Sequence, residues 1–355
     1  MRKTICFVGG GLKGGGQERA LTSLANYAAA HDYDVIILNL FKTDIFFELH
    51  PEIKLIWPKI EREKLNRFVY ALSLIPFIRK EIKKHKPDVV ICFGEWFNAY
   101  TILSTRFLGI KVFVSNRMGP MLKLGFLLDT ANKLLYRYAD GVIAQTNTAK
   151  DIISIKGPNK NIRVIPNAVI PIEANQFSKK NQIVTVGRLS KAKNHILLVR
   201  SFAKLNNSLW TLHIIGDGEE RYNLECEVRK LGIEKKVIFY GQQKEFGSIL
   251  SESEIFVLSS VFEGFPNALV EAMSVPLACI STNCIAGPSD IIQDGVNGIL
   301  VKPNDIDEMT EAINRLVQDQ KLRNELSDEA YKVREKYHFD TVAKQYLAFI
   351  QPESQ

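Results

Sequence analysis

Glu263 and Glu271 bracket the segment Glu-Gly-Phe-Pro-Asn-Ala-Leu-Val-Glu, and the residues between them give the pair its interest. Pro266 suits the first turn of a helix, where its missing N–H costs nothing. Asn267 and Glu271 are then four apart on one helix face, with Glu263 in the preceding loop, so both carboxylates can face one cleft around a helix N-terminus. The spacing alone is common by chance in a chain with 39 Asp and Glu, where such pairs are ordinarily exposed surface carboxylates. Upstream, Gly187-Arg188-Leu189-Ser190-Lys191-Ala192-Lys193-Asn194 follows the apolar run Ile183–Val186. Arg188, by its planar fork, and Lys193, as a point charge, could converge on a diphosphate.

Two more glycine turns end apolar runs in the same half, Gly216-Asp217-Gly218-Glu219 and Tyr240-Gly241-Gln242. Near the N-terminus the chain reads Gly9-Gly10-Gly11-Leu12-Lys13-Gly14-Gly15-Gly16-Gln17-Glu18-Arg19. Such a loop lets backbone approach a ligand, and a helix starting at Gln17 offers free N–H groups to an anion. Ala20, Leu21, Leu24, Ala25 and Ala28 on one face support that helix. Gly9, Gly11 and Gly14 also satisfy G-x-G-x-x-G, the dinucleotide fingerprint. The second strand should then end in an acidic residue for the ribose, but it runs out at Asn39-Leu40-Phe41. A nicotinamide or flavin oxidoreductase is thereby disfavoured.

These groups need a scaffold that sets them at strand ends. In the first half the strand candidates are Thr4–Val8, Val35–Leu40, Val89–Phe93, Val112–Ser115, Gly141–Ala144 and Arg163–Ile165. In the second half they are Ile183–Val186, Leu212–Ile215, Val237–Tyr240, Ile255–Leu258, Leu277–Ser281 and Gly298–Val301. Near-continuous apolar strands separated by helix-length segments imply parallel sheets covered on both faces. The expected architecture is α/β: two doubly wound, Rossmann-like domains facing a cleft, with ligands beyond the carboxyl ends of the strands. The domains are expected over 1–170 and 182–338, joined by the polar, proline-bearing linker Ile170–Asn181. A last helix over 339–355, with Val342, Tyr346, Phe349 and Ile350 on one face, should dock.

Composition narrows the class further. Of 355 residues, 46% are apolar and 24% charged, as in a soluble globular protein. Met1 to Val8 runs straight into glycines and reads as a strand rather than a signal peptide. The apolar stretch Phe68–Ile78 is broken by Ser73 and Pro76 and is too short to span a bilayer. Five cysteines without a C-x-x-C pair point to reduced thiols in a cytoplasmic protein, with neither disulfides nor zinc. Charge is uneven: residues 1–172 hold 25 Lys+Arg against 14 Asp+Glu, a balance of +11, whereas residues 173–355 stand at −4. A basic half suits an anionic membrane surface, a phosphorylated acceptor or nucleic acid, and its densest cluster is Arg79, Lys80, Lys83, Lys84 and Lys86.

Taken in order, the glycine loop with Glu18-Arg19, Ile165-Pro166-Asn167, Gly187–Asn194, Phe262–Met273 and Gly287-Pro288-Ser289 resemble the retaining glycosyltransferases of family 4 over nearly the whole chain. The resemblance implies a GT-B fold, with the donor bound mostly by the second domain, the acceptor mostly by the first, and the last helix returning to the first. It implies that Glu271 binds the nucleotide ribose and that Glu263 lies against donor-sugar hydroxyls. Arg188 and Lys193 would hold the diphosphate, and Gly15 and Gly16 would approach it from the opposing domain. Gly216 would line the donor site, while Gly264, Phe265 and Asn267 would lend backbone N–H groups, Pro266 having none. No metal or other cofactor is expected: Asp-x-Asp occurs at Asp32/Asp34 and Asp305/Asp307, and Asp305 reads as a helix cap. Where many relatives have a histidine after the fourth strand, this chain has Arg117, which cannot act as a base at neutral pH.

The expected activity is retaining transfer of a hexose or N-acetylhexosamine from a UDP-sugar to a growing lipid-linked glycan. The expected partners are that donor, the glycan acceptor and the anionic inner face of a membrane, with no nucleic acid. Transfer to a soluble sugar or sugar phosphate, a nucleotide-sugar epimerase and a non-catalytic nucleotide-binding protein are the alternatives.

Overall fold

The computed structural model describes residues 2–59, 65–119, 122–157, 159–169, 172, 178–205 and 209–350. Most of the linker expected over Ile170–Asn181 lies outside the described residues. The chain divides into two compact units, residues 1–168 with 342–355, and residues 169–341.

In the first unit, β1 (Thr4–Gly9), α1 (Gly16–Ala30), β2 (Asp34–Asn39) and β3 (Lys54–Ile56) come in succession. Next are α2 (Arg67–His85), β4 (Val89–Phe93), α3 (Glu95–Thr105) and β5 (Lys111–Ser115). Then come α4 (Phe126–Leu135), β6 (Gly141–Ala144), α5 (Asn147–Lys156) and β7 (Ile162–Val164). Seven parallel strands lie in the order β3-β2-β1-β4-β5-β6-β7. The order reverses at β1, the doubly wound pattern expected from the apolar runs. The sequence reading omits β3, a three-residue edge strand whose side chains are half-buried or exposed and so carry no burial pattern.

Residues of one strand feed opposite faces. Cys6, Val8, Val90 and Cys92 join a core with Leu74, Ile78 and Ile82 of α2, which fall four apart along one helical stripe. On the other face Phe93 stacks with Tyr346 and Phe113 packs edge-on against Phe349. Both partners belong to the final helix, described below, so residues 342–350 complete the first unit's sandwich.

The second unit holds β8 (Gln182–Val186), α6 (His195–Ala203), β9 (Thr211–Ile215), α7 (Arg221–Lys230) and β10 (Val237–Gly241). It continues with α8 (Gly247–Glu252), β11 (Ile255–Leu258), α9 (Asn267–Met273), β12 (Ala278–Thr282), α10 (Pro288–Ile291) and β13 (Ile299–Val301). The described residues then run through α11 (Ile306–Gln318), α12 (Gln320–Tyr331), α13 (Val333–Lys336) and α14 (Phe339–Ile350), the last belonging to the first unit from Val342 onward. Its six parallel strands run β10-β9-β8-β11-β12-β13, again reversing at the first strand of the unit. Ile255 and Val257 of β11 enter one core, Phe256 and Leu258 the other, so both faces are covered. Loops after β8, β9 and β11 therefore gather at the switch point, where open α/β sheets bind ligands.

Candidate active site

The loop after β8 is laced to its neighbours by backbone bonds. Gly187 N–H donates to Ile215 O at 3.0 Å and Leu189 N–H to Asp217 O at 2.9 Å, tying it to the β9 turn. On the other side Val261 N–H donates to Ala192 O at 2.9 Å, and Ser259 Oγ to Lys193 O at 2.9 Å. Gly216 sits at φ 142°, and a Cβ there would overlap the Gly187 carbonyl. Only glycine allows this approach, which explains the turn without any ligand contact by Gly216 itself.

Inside this frame Lys193 meets Glu263. Lys193 Nζ donates to Glu263 Oε1 at 2.6 Å, and Ser260 Oγ donates to the same oxygen at 2.6 Å. Glu263 is only 6% exposed, so its charge is compensated where water is scarce. The pairing was not legible in the spacing, because Lys193 and Glu263 are 70 residues apart. Arg188 is exposed and makes no hydrogen bond or ion pair among the described residues. Its guanidinium is therefore open to an anion.

Helix α9 starts at Asn267, so Pro266 is its capping residue rather than a member of the first turn. Asn267 and Glu271 share one face of α9, as the four-residue spacing requires, and both already have partners within the protein. The Asn267 N–H, expected to face the donor, donates to Phe265 O at 2.9 Å. The N–H groups of Gly264 and Phe265 donate to nothing among the described residues and remain open. The Phe265 ring is buried against Tyr337, 5.8 Å between centroids, which leaves only its backbone for a ligand. Gly287, at φ 114°, brings its loop hard against the Pro266 ring and holds this turn in place.

Sequence reasoning missed three buried neighbours of this cluster: Ser260, Cys284 and His195. Burial, then the Glu263 charge, pushes the Cys284 thiol up to about 12, so it is an uncharged neighbour. His195 opens α6 beside Lys193, with Nδ1 unpartnered, and burial followed by the Lys193 charge brings its pKa down to about 4. Asp305 caps α11 through Glu308 N–H at 2.9 Å. No group of metal-binding side chains occurs among the described residues.

In the first unit Gly15 caps α1 and Gly16 begins it, with the Glu18 carboxylate folded back against Gly15. The loop is anchored: Leu12 is fully buried, its N–H donates to Thr43 Oγ1 at 2.9 Å, and Gln17 Nε2 donates to Phe93 O at 2.7 Å. Arg117 donates to the Tyr346 hydroxyl at 2.7 Å and to Asn167 Oδ1 at 2.8 Å, with its guanidinium 5.0 Å from the Phe93 ring centre. It ties the last helix and the Ile165-Pro166-Asn167 turn to the end of β5.

Against known proteins, the model of glycosyl transferases group 1 matches residues 169–333, and that of Glycosyltransferase Family 4 matches residues 14–171. An uncharacterized glycosyltransferase of Methanocaldococcus jannaschii is 30% identical over 293 residues, 70% of this chain and 72% of that protein. A Campylobacter jejuni α-1,4-N-acetyl-D-galactosaminyltransferase, named for a glycan on PP-undecaprenol, is 25% identical over 98% of both chains. The solved lipopolysaccharide outer core galactosyltransferase WaaB, in its apo form, matches with a TM-score of 0.81 at 25% identity, over 99% of this chain and 100% of that one. With two Rossmann-like units and a cationic strand-end cluster in the second, this chain belongs to the group 1 glycosyl transferases and has the GT-B fold.

Proposed function

We propose that this protein is a retaining transferase moving a hexose or N-acetylhexosamine from a UDP-sugar to a growing, lipid-linked surface glycan. The observation that carries the reading is the set of open donors at the switch point: the Arg188 guanidinium and the N–H groups of Gly264 and Phe265, beside the Lys193–Glu263 pair. When the glycosyl C1–O bond to a diphosphate breaks, negative charge grows on the leaving oxygen. Fixed donors and cations aimed there stabilise the transition state by several kcal/mol. In this reading Glu263, anchored by Lys193 and Ser260, would bind donor-sugar hydroxyls and Glu271 the ribose. The acceptor oxygen then bonds to C1 on the face the diphosphate leaves, and its proton passes to a phosphate oxygen. Donor-side charge is handled by Arg188 and Lys193, so transfer should persist in excess chelator.

Retention and sugar class draw support from the Campylobacter relative's name, which specifies an α-linked N-acetylgalactosamine product. The lipid part draws support from the PP-undecaprenol in that name and from the surface of the first unit. Val69 and Leu72 of α2, Trp96 of α3, Phe107, and Phe126 and Leu127 of α4 are all exposed. Lys80, Lys83, Lys84 and Lys86 are exposed as well, whereas Arg79 turns inward and donates to the Ser104 and Arg106 carbonyls at 2.9 Å. Exposed apolar groups flanked by lysines suit peripheral contact with an anionic membrane face. Among the described residues no helix is long and apolar enough to cross a membrane.

The test is a panel of UDP- and GDP-sugars incubated with the protein and membrane extract, with the product's anomeric configuration read by NMR. A UDP-hexose or UDP-N-acetylhexosamine consumed with retention is the expected result. Inversion, or no turnover and no slow hydrolysis with any donor, would defeat the proposal.

A further inference from the structure

Two buried serines follow β11, and each holds one member of the Lys193–Glu263 pair. Ser259 Oγ donates to the Lys193 carbonyl at 2.9 Å, and Ser260 Oγ donates to Glu263 Oε1 at 2.6 Å. The Ser260 backbone is fixed in turn, since Thr282 Oγ1 at the end of β12 donates to its carbonyl. Between Ser260 and Glu263, Val261 N–H donates to Ala192 O at 2.9 Å and ties this stretch to the lysine's own loop.

The two donors on Glu263 Oε1 differ in kind. Lys193 reaches it from a flexible four-carbon stem, and its side chain is 24% exposed against 7% for Glu263. An ammonium has three N–H donors and follows charge, so a bound diphosphate, with more negative charge than one carboxylate, draws it away from Glu263. A serine hydroxyl on a one-carbon arm with a clamped backbone has no such freedom and no charge to be drawn. Glu263 Oε2 accepts no hydrogen bond among the described residues and is not closed off from solvent. One carboxylate oxygen is therefore held while the other stays open to a ligand's hydroxyl.

We propose that Ser260 is a positioning residue for the transfer: it holds the Glu263 carboxylate in one orientation, with Oε2 free for the donor sugar, while Lys193 is drawn to the diphosphate. The role rests on the transferase reading. It adds the group that keeps recognition of the sugar independent of recognition of the phosphates.

The test separates the sugar end of the donor from the nucleotide end. Affinity for UDP is measured beside affinity for, and slow hydrolysis of, UDP-glucose, UDP-galactose and their N-acetylhexosamine counterparts. The proteins are the unaltered chain, Ser260→Ala, Glu263→Ala and the double variant, with folding checked by circular dichroism. Ser260→Ala should slow hydrolysis of the preferred donor about ten- to a hundredfold, the worth of a hydrogen bond to a charged group. Its affinity for UDP, which carries no sugar for Glu263 to meet, should be unchanged, whereas a serine that merely props the loop would weaken both. Adding Ser260→Ala to Glu263→Ala should change neither hydrolysis nor donor affinity further, because the hydroxyl acts through the carboxylate. Should Ser260→Ala not fold, Ser260→Cys keeps the volume with a weaker S–H donor and should show the same split to a smaller extent.

Full hydrolysis by the folded serine variant, an equal loss of UDP affinity, or a further loss in the double variant would each overturn the role. Absence of hydrolysis of every donor by the unaltered chain sinks the transferase reading and this role with it. Hydrolysis that the serine substitution leaves intact sinks the role alone.

Discussion

Arg188 and Lys193 lie five residues apart in one loop, yet their substitutions should separate binding from stability. Arg188 is exposed and unpartnered among the described residues, so Arg188→Ala should leave urea stability within about 0.5 kcal/mol. Donor hydrolysis should nonetheless fall about 100-fold, because a cation aimed at developing charge is lost. Lys193→Met strands the buried Glu263 carboxylate with only the Ser260 hydroxyl. It should cost roughly 2 kcal/mol in urea unfolding as well as activity. Unchanged stability for Lys193→Met would show that the pair does not persist in solution. His195 gives a pH prediction. Its folded pKa is about 4, below the ordinary histidine value, so it stays neutral in the folded chain while the unfolded chain protonates first. As pH falls from 6.5 towards 4 the unfolded state binds more protons, and stability is lost through that window. Between pH 7 and 4.5 the second unit should lose roughly 2 kcal/mol more in the unaltered protein than in His195→Asn. Parallel pH profiles would remove His195 as the cause.

At the scale of elements, the strand-end turns depend on how closely two backbones approach. Gly216→Ala adds a Cβ that overlaps the Gly187 carbonyl at a φ of 142°, so the turn after β9 must separate from the loop after β8. The expected cost is about 4 kcal/mol or more, enough to disorder the donor cluster. Gly109 makes the comparison: its φ is 69°, but a Cβ there meets nothing within 4 Å. Gly109→Ala should cost only about 1–2 kcal/mol, the strain of a left-handed residue alone. Equal urea midpoints for the two variants would show that the close approach does not matter. In α14, Tyr346 accepts the Arg117 hydrogen bond and stacks on Phe93, so Tyr346→Ala should lower the first unit's stability by about 3–4 kcal/mol.

For the whole molecule the relevant quantity is the contrast between a half at +11 and a half at −4. Protein should collect on anionic vesicles and not on neutral ones, with binding weakening as salt shortens the Debye length. Replacing Lys83 and Lys84 together by Gln should reduce affinity at least tenfold, at about 1 kcal/mol per lysine near the surface. Sedimentation with vesicles of both compositions reads this directly, and equal binding to neutral vesicles would remove electrostatics as the cause.

Much of this was legible before any coordinates. Continuous apolar runs such as Ile255–Leu258 are buried on both faces only in a parallel sheet, so the runs themselves determined two doubly wound units. The four-residue step from Asn267 to Glu271 likewise acts through local backbone geometry, which spacing records. What only the tertiary structure decided are encounters between distant segments. Lys193 meets Glu263, the Asn267 N–H donates to Phe265 O, Arg79 turns inward, and the buried Asn132 amide reaches back to the Glu95 carbonyl. Periodicity fixes which face of an element is buried; which atoms then find each other depends on how loops from different strands pack, and no sequence spacing encodes that.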